Sequence, residues 1–332
     1  MQRGQAALLT SRLSPANFAD NRGALILDRA IVRLLPAVPR TIVRSISSRY
    51  IAGSELADAT RTVRSLNARG MLATIDVLGE EITVADETEE ISRAYEEVLM
   101  EIDRRHLQAN VSVKPTAFGL GLDRALCLAN VKRLVDFARR RDNFVRVDME
   151  DATTTDATLG MYRELRGAGY DNLGVVLQAS LKRTVADIDA LADLRPSVRI
   201  CKGIYVESPD IQYHDFHAVQ TSFVNSLGAL FDARCYVGIA THDEWLVEEA
   251  KRLISERGLS REDYEFQMLL GVRPQLAASL VAKGHRLRIY VPFGAYWYEY
   301  SLRRLQENPG IAGYIASDTM TRLIHPRRNG NS

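Results

Sequence analysis

The chain has 332 residues, 46% hydrophobic and 26% charged, the composition of a soluble globular domain with ample material for a core. A formal net charge of +1 offers no basic surface for nucleic acid and no acidic tail, and no apolar run approaches the roughly 18 residues needed to span a membrane. Three scattered cysteines, Cys127, Cys201 and Cys235, form neither a disulfide nor a metal pattern and fit a reducing compartment. The cytoplasm is the default location, with peripheral contact at the inner face of a membrane left open.

Residues 1–70 read as a helical arm. Ser54 is placed as an N-cap, Leu56, Ala59, Val63 and Leu66 recur at helical spacing, and Gly70 is a stop. After Gly70, short apolar runs alternate with longer amphipathic segments. The runs are 71–78, 111–113, 144–147, 173–177, 198–201, 235–240, 264–270 and 287–291. They recur every ~25–40 residues, the length of a strand, a helix and their loops. Helix patterns lie between them, as over 83–106 and 243–257. Eight such units predict a fold of α/β class, a (β/α)8 TIM-like barrel over 71–310, followed by a frayed basic tail over 311–332. An open doubly wound sheet is the competitor. Its glycine fingerprint is missing, because Gly119-Leu-Gly121 has Arg124 where the third glycine belongs.

In such a barrel the active site lies at the carboxyl ends of the strands. The first run ends in Gly79-Glu80, the second in Lys114, the third in Asp148-Met149-Glu150 and the fourth in Gln178. The fifth contains Arg199 and ends in Lys202-Gly203, with Tyr205 beyond. The sixth ends in Thr241-His242-Asp243, and the eighth carries Tyr290 and leads to a helix with Tyr300, Arg303 and Arg304. Any one of these residues is more readily structural than catalytic; their joint placement on one rim reverses that judgement. Two adjacent arginines on one helical turn offer two forks to a small carboxylate. The same helix by itself reads equally as amphipathic with two solvated arginines. His214 and His217 flank Asp215 at a weak metal spacing, and no metal site is assigned to them. A rim so rich in donors suits an anionic cofactor beside an anionic substrate, with Glu80 and Asp148 holding some of the cations in place.

The strings Leu78-Gly-Glu80, Ser112-Val-Lys114, Val147-Asp148, Leu177-Gln-Ala179, Arg199-Ile-Cys-Lys-Gly-Ile-Tyr205, Ala240-Thr-His242, Arg288-Ile-Tyr-Val-Pro-Phe-Gly294 and Tyr300-Ser-Leu-Arg-Arg304 closely resemble proline dehydrogenase in its single-function bacterial form. The resemblance runs over about residues 50–310. It implies a distorted (β/α)8 barrel that binds FAD without a Rossmann domain. It implies oxidation of L-proline to Δ1-pyrroline-5-carboxylate, with hydride passing from C5 to flavin N5 and electrons going on to a membrane quinone. By the same resemblance Arg303 and Arg304 clamp the proline carboxylate with Lys114 as a third cation, Glu80 pairs with one of those arginines, and Tyr290 and Tyr300 wall the ring. Asp148 supports the site beneath the flavin, and Arg199 lies near N5, where negative charge grows on reduction. Gln178 bonds the isoalloxazine, Met149, Lys202, Gly203, Ile204 and Tyr205 contact the cofactor, and Thr241 and His242 bind its remainder. Many relatives have Ala-Tyr-Trp where this chain has Ile204-Tyr205-Val206, so the cofactor contact near 206 differs here. Tyr290 is expected to select proline over 4-hydroxyproline. Two other readings fit a lysine-bearing rim: a Schiff-base lyase with Lys114 or Lys202 as nucleophile, and a flavoprotein like methylenetetrahydrofolate reductase.

Overall fold

Most of the apolar runs alternate in a way that decides the architecture: one face is apolar, and the other carries polar residues or glycine. The computed structural model describes residues 47, 49–79, 82–298 and 300–301. Helix α1 (Leu56–Asn67) precedes eight strands with helices between them. These are β1 (Leu72–Val77), α2 (Ala85–Arg104), β2 (Ala109–Val113), α3 (Arg124–Arg139), β3 (Val145–Val147), α4 (Thr155–Gly167), β4 (Leu173–Gln178), α5 (Thr184–Leu191), β5 (Ser197–Cys201), α6 (Phe216–Asp232), β6 (Tyr236–Ala240), α7 (Glu244–Glu256), β7 (Tyr264–Leu269), α8 (Pro274–Ala282) and β8 (Leu287–Phe293). The strands close in sequence order into one parallel barrel, with β1 beside β8 in register from Leu72–Arg288 to Val77–Phe293. All eight expected runs are strands, their ends moved by one or two residues.

The apolar faces point outward into the helices. Ile75, Val111, Val145, Val175, Ile200, Ile239, Phe266 and Ile289 join one apolar cluster with Tyr95, Leu99, Val131, Met161, Phe223 and Leu246 of the helices. Burying these side chains is the main source of stability, at about 1.5–3 kcal/mol for each large one. Helices α3, α6 and α7 each start on an aspartate whose carboxylate accepts a backbone N–H of the first turn: Asp123, Asp215 and Asp243. The expected cap of α1 at Ser54 is displaced by one residue. Glu55 is the N-cap, because the Asp58 carboxylate reaches back to its N–H at 3.2 Å. The part of the expected helical arm before residue 47, the end of the expected barrel over 302–310 and the tail over 311–332 lie outside the described residues.

The opposite faces fill the barrel lumen with polar groups, where a barrel interior ordinarily holds layers of branched aliphatics. At the amino-terminal end, Arg146 donates to Val175 O at 3.1 Å, Ser197 O at 2.6 Å and Ser197 Oγ at 2.9 Å. Arg288 donates to Glu265 at 2.6 Å and to Ala73 O at 2.7 Å. Such long side chains need room, and glycines on two strands supply it. A Cβ at Gly174 would collide with Arg146 and lie 2.6 Å from Ser197 O, and one at Gly238 would collide with the Gln267 amide. Gly174→Ala is therefore expected to cost about 1–3 kcal/mol in urea denaturation by overpacking. A variant as stable as the parent would mean that Arg146 does not occupy this space.

Candidate active site

The upper half of the lumen is built from polar and charged groups on five strands. Asp76 of β1 is fully buried, and Lys114, just past β2, gives its ammonium to both Asp76 oxygens at 3.0 Å. The Tyr95 hydroxyl, reaching in from α2, donates to Ser112 O at 2.6 Å and lies 3.1 Å from Asp76 Oδ1. Burial and then Asp76 hold that phenol well above its usual range, so Tyr95 stays a neutral donor. Asp148, at the end of β3, is the hub. Its Oδ1 accepts from Ser112 Oγ at 2.6 Å and from Arg199 Nη1 at 2.6 Å, and its Oδ2 accepts from Tyr290 OH at 3.0 Å. The Arg199 guanidinium also stacks 5.3 Å over the Tyr290 ring. Among the described residues its Nη2 makes no hydrogen bond. Burial followed by Asp148 raises the Tyr290 phenol far above its ordinary value. Tyr300 is buried against Ile51 and Leu78, near enough to Tyr290 to be felt electrostatically.

A second group lies along the ends of β4 to β6. Gln178 gives its amide N–H to Glu150 O at 2.7 Å, which leaves Oε1 as an acceptor. Glu150 is pushed up by burial, offset in part by hydrogen bonds from Thr116. Gly203 has φ +100, and a Cβ there would collide with Ser180 Oγ and stand 3.0 Å from Gln178 Oε1. Gln212 braces the same turn, donating to Tyr205 O at 2.7 Å and Ser180 Oγ at 3.1 Å. Lys202 pairs with Asp243 at 2.7 Å and lies 4.7 Å over the Phe216 ring. Thr241 Oγ accepts the Asp243 N–H at 3.1 Å. Met149 is buried, while Ile204 and Val206 are exposed. His214 and His217 are not paired on one helix face: His214 precedes the cap of α6 and contacts Glu207 O, and His217 contacts Gln220.

The structure thus gathers Lys114, Asp148, Arg199, Tyr290 and Tyr300 in one place and Met149, Gln178, Lys202, Gly203, Ile204, Tyr205, Thr241 and His242 along the adjoining rim. Glu80, Arg303 and Arg304 lie outside the described residues. Sequence reasoning passed over Asp76, Glu265 and Gln267. Their signal was a carboxylate or amide inside an otherwise apolar strand, which is costly unless it meets a partner.

A closed parallel barrel whose strand ends carry a ring of paired charges is the architecture of a (β/α)8 enzyme with its active site at the carboxyl rim. The family model described as proline dehydrogenase matches residues 59–316. Proline dehydrogenase 1 of Bacillus subtilis strain 168 is 33% identical over 267 residues, covering 80% of this chain and 88% of that protein. The proline dehydrogenase of Deinococcus radiodurans is 34% identical over 278 residues, covering 82% and 89%. Among solved structures, proline utilization A from Bdellovibrio bacteriovorus, inactivated by N-propargylglycine, shares the fold with a TM-score of 0.77 at 20% identity. The match covers 87% of this chain and 37% of that longer one. The chain belongs to the proline dehydrogenase family, in its single-function form, and its reaction is the oxidation of proline in proline catabolism. No helix among the described residues is long and apolar enough to cross a membrane.

His242 supplies a pH test of this geometry. The Leu269 N–H donates to its Nε2 at 2.9 Å, so the neutral ring carries its proton on Nδ1. Burial first, then Arg273 and Lys202, push its pKa down to about 4 from 6.5. Between those values the unfolded chain binds a proton that the folded chain does not, so the stability present above about pH 6.5 is lost as pH falls toward about 4. The loss is on the order of 3 kcal/mol. Urea titrations at several pH values should show a flatter profile for His242→Gln than for the parent. Parallel profiles would place the titrating group elsewhere.

Proposed function

We propose that the rim binds FAD and L-proline side by side, that the product is Δ1-pyrroline-5-carboxylate, and that a quinone takes the electrons onward. The observation that carries this reading is the buried Arg199, held by Asp148 and stacked on Tyr290, whose Nη2 makes no hydrogen bond among the described residues. The donor set fits the cofactor. Gly203 at φ +100 brings backbone close to where a ligand would lie, Gln178 keeps an amide acceptor, and His242 keeps an Nδ1–H donor. When bound, FAD supplies at N5 the acceptor for the hydride that leaves C5 of proline.

The chain's own residues do the rest in this reading. Arg199 places a fixed positive charge at the edge where negative charge accumulates, an effect of about 3 kcal/mol for one well-placed donor in a dry site. Asp148 holds that guanidinium and the Tyr290 hydroxyl at once, so cation and ring wall keep one relative position. Arg303 and Arg304 grip the proline carboxylate with Lys114, Glu80 pairs with one of them, and Tyr290 and Tyr300 enclose the ring. Because Asp76 already balances Lys114, that lysine contributes a donor more than net charge. Met149, Gln178, Lys202, Gly203, Ile204, Tyr205, Thr241 and His242 hold the cofactor. Cytoplasmic location with peripheral contact at the inner membrane face would bring the rim to the quinone. Both candidate Schiff-base lysines are ion-paired, Lys114 to Asp76 and Lys202 to Asp243. A nucleophile needs the free amine, so the lyase reading is disfavoured.

Purified protein should show flavin absorbance that bleaches on anaerobic addition of L-proline without NADH. A colourless protein trapped by borohydride with a carbonyl substrate would instead favour the lyase. Arg303→Ala should retain flavin and raise KM for proline by about 10–100-fold, the worth of a charge-assisted hydrogen bond. Flavin loss with unchanged proline affinity would remove Arg303 from the clamp. Tyr290 should make kcat/KM for proline exceed that for 4-hydroxyproline, and equal values would refute its part in specificity.

A further inference from the structure

On its lumen side strand β7 carries Glu265 and Gln267, 1% and 6% exposed. They form a directed chain. Arg288 Nε donates to Glu265 Oε1 at 2.6 Å, Gln267 Nε2 donates to the same oxygen at 2.7 Å, and Arg199 Nε donates to Gln267 Oε1 at 2.6 Å. The direction follows from charge. Burial alone would raise the Glu265 carboxyl, but Arg288 more than offsets it, so the group is held below its ordinary value and ionised. An ionised carboxylate only accepts, so Gln267 must turn its amide N–H toward Glu265. Its carbonyl oxygen then has to face Arg199. Gly238 on the neighbouring strand leaves the space that the Gln267 amide occupies.

We infer that Glu265 and Gln267 are positioning residues for proline oxidation: they lock the Nε edge of Arg199, while Asp148 locks Nη1, so that only the Nη2 edge is presented to the ligand. Neither residue touches the substrate or cofactor; both act through Arg199. A guanidinium is a planar fork, and fixing two of its edges fixes the direction of the third. Without Gln267, Arg199 would be held at Nη1 alone, by Asp148 and Ser112 Oγ, and by its stacking on Tyr290, with its Nε edge unfixed. This rests on the reading that FAD occupies the rim.

The test is the midpoint potential of the bound flavin, measured spectroelectrochemically in the holoenzymes of the parent, Gln267→Met, Gln267→Glu and Glu265→Gln. Methionine matches glutamine in volume but has no oxygen for Arg199. Glutamate keeps that oxygen and, protonated on the other one, still donates to Glu265. In Glu265→Gln the neutral partner lets the 267 amide turn over. Gln267→Met should weaken the reduced form at least about tenfold relative to the oxidised form, a negative shift of about 30 mV for a two-electron couple. Gln267→Glu should restore the parent value, which a purely structural role for the side chain does not require. Glu265→Gln should shift in the same direction as Gln267→Met, and it decides the matter if the methionine variant does not fold. Unmoved potentials in a flavin-bearing parent and its variants, or no restoration by glutamate, would overturn this inference alone. A colourless parent protein would overturn the FAD reading and this inference with it.

Discussion

Charges buried in a closed lumen are costly unless they meet partners, and here those partners come from other strands. That constraint organises the molecule. Asp76 meets Lys114, Glu265 meets Arg288, and Asp148 meets Arg199, each pair joining different strands. The last pair matters most, because the Asp148 carboxylate also holds Ser112 and Tyr290. One carboxylate at the end of a strand of only three residues thereby fixes groups from β2, β5 and β8 relative to one another.

These pairs are poor sources of stability. Removing two charges from water costs about as much as their attraction returns, while breaking one partner costs on the order of 3–5 kcal/mol. The aliphatic outer faces of the strands, packed on the helices, supply the stability that makes a charged interior affordable. What the interior provides is definition. A guanidinium held on two edges and a tyrosine held by its hydroxyl keep one relative position, and under the proposed function that preorganised charge faces the acceptor that gains negative charge.

Much of this was legible in the sequence. The spacing of eight apolar runs revealed the barrel, and the polar residues in and just after those runs singled out Lys114, Asp148, Gln178, Arg199, Lys202 and Tyr290, which the structure places on the strands or immediately past them. The interior polar residues were not legible as a site. Asp76, Glu265 and Gln267 sit within strands, and their partners are fixed by the stagger of the closed barrel: the register sets Gly238 beside Glu265 and Ala240 beside Gln267, which sequence separation does not disclose. The N-cap at Glu55 in place of Ser54 was missed for a local version of the same reason, since Asp58 reached back across the first turn. The two histidines beyond β5 share a spacing but not a helix, because Asp215 caps α6 between them.

The central claim is that Asp148 and Arg199 act as one unit. A double-mutant cycle with Asp148→Asn and Arg199→Met, read by the anaerobic rate of proline-driven flavin reduction, tests it most directly. Each single variant should slow reduction by on the order of 100-fold. Groups that act as a unit are non-additive, so the double variant should be no more than about threefold slower than the worse single one. Losses that multiply in full would show two independent contributions and would contradict the account.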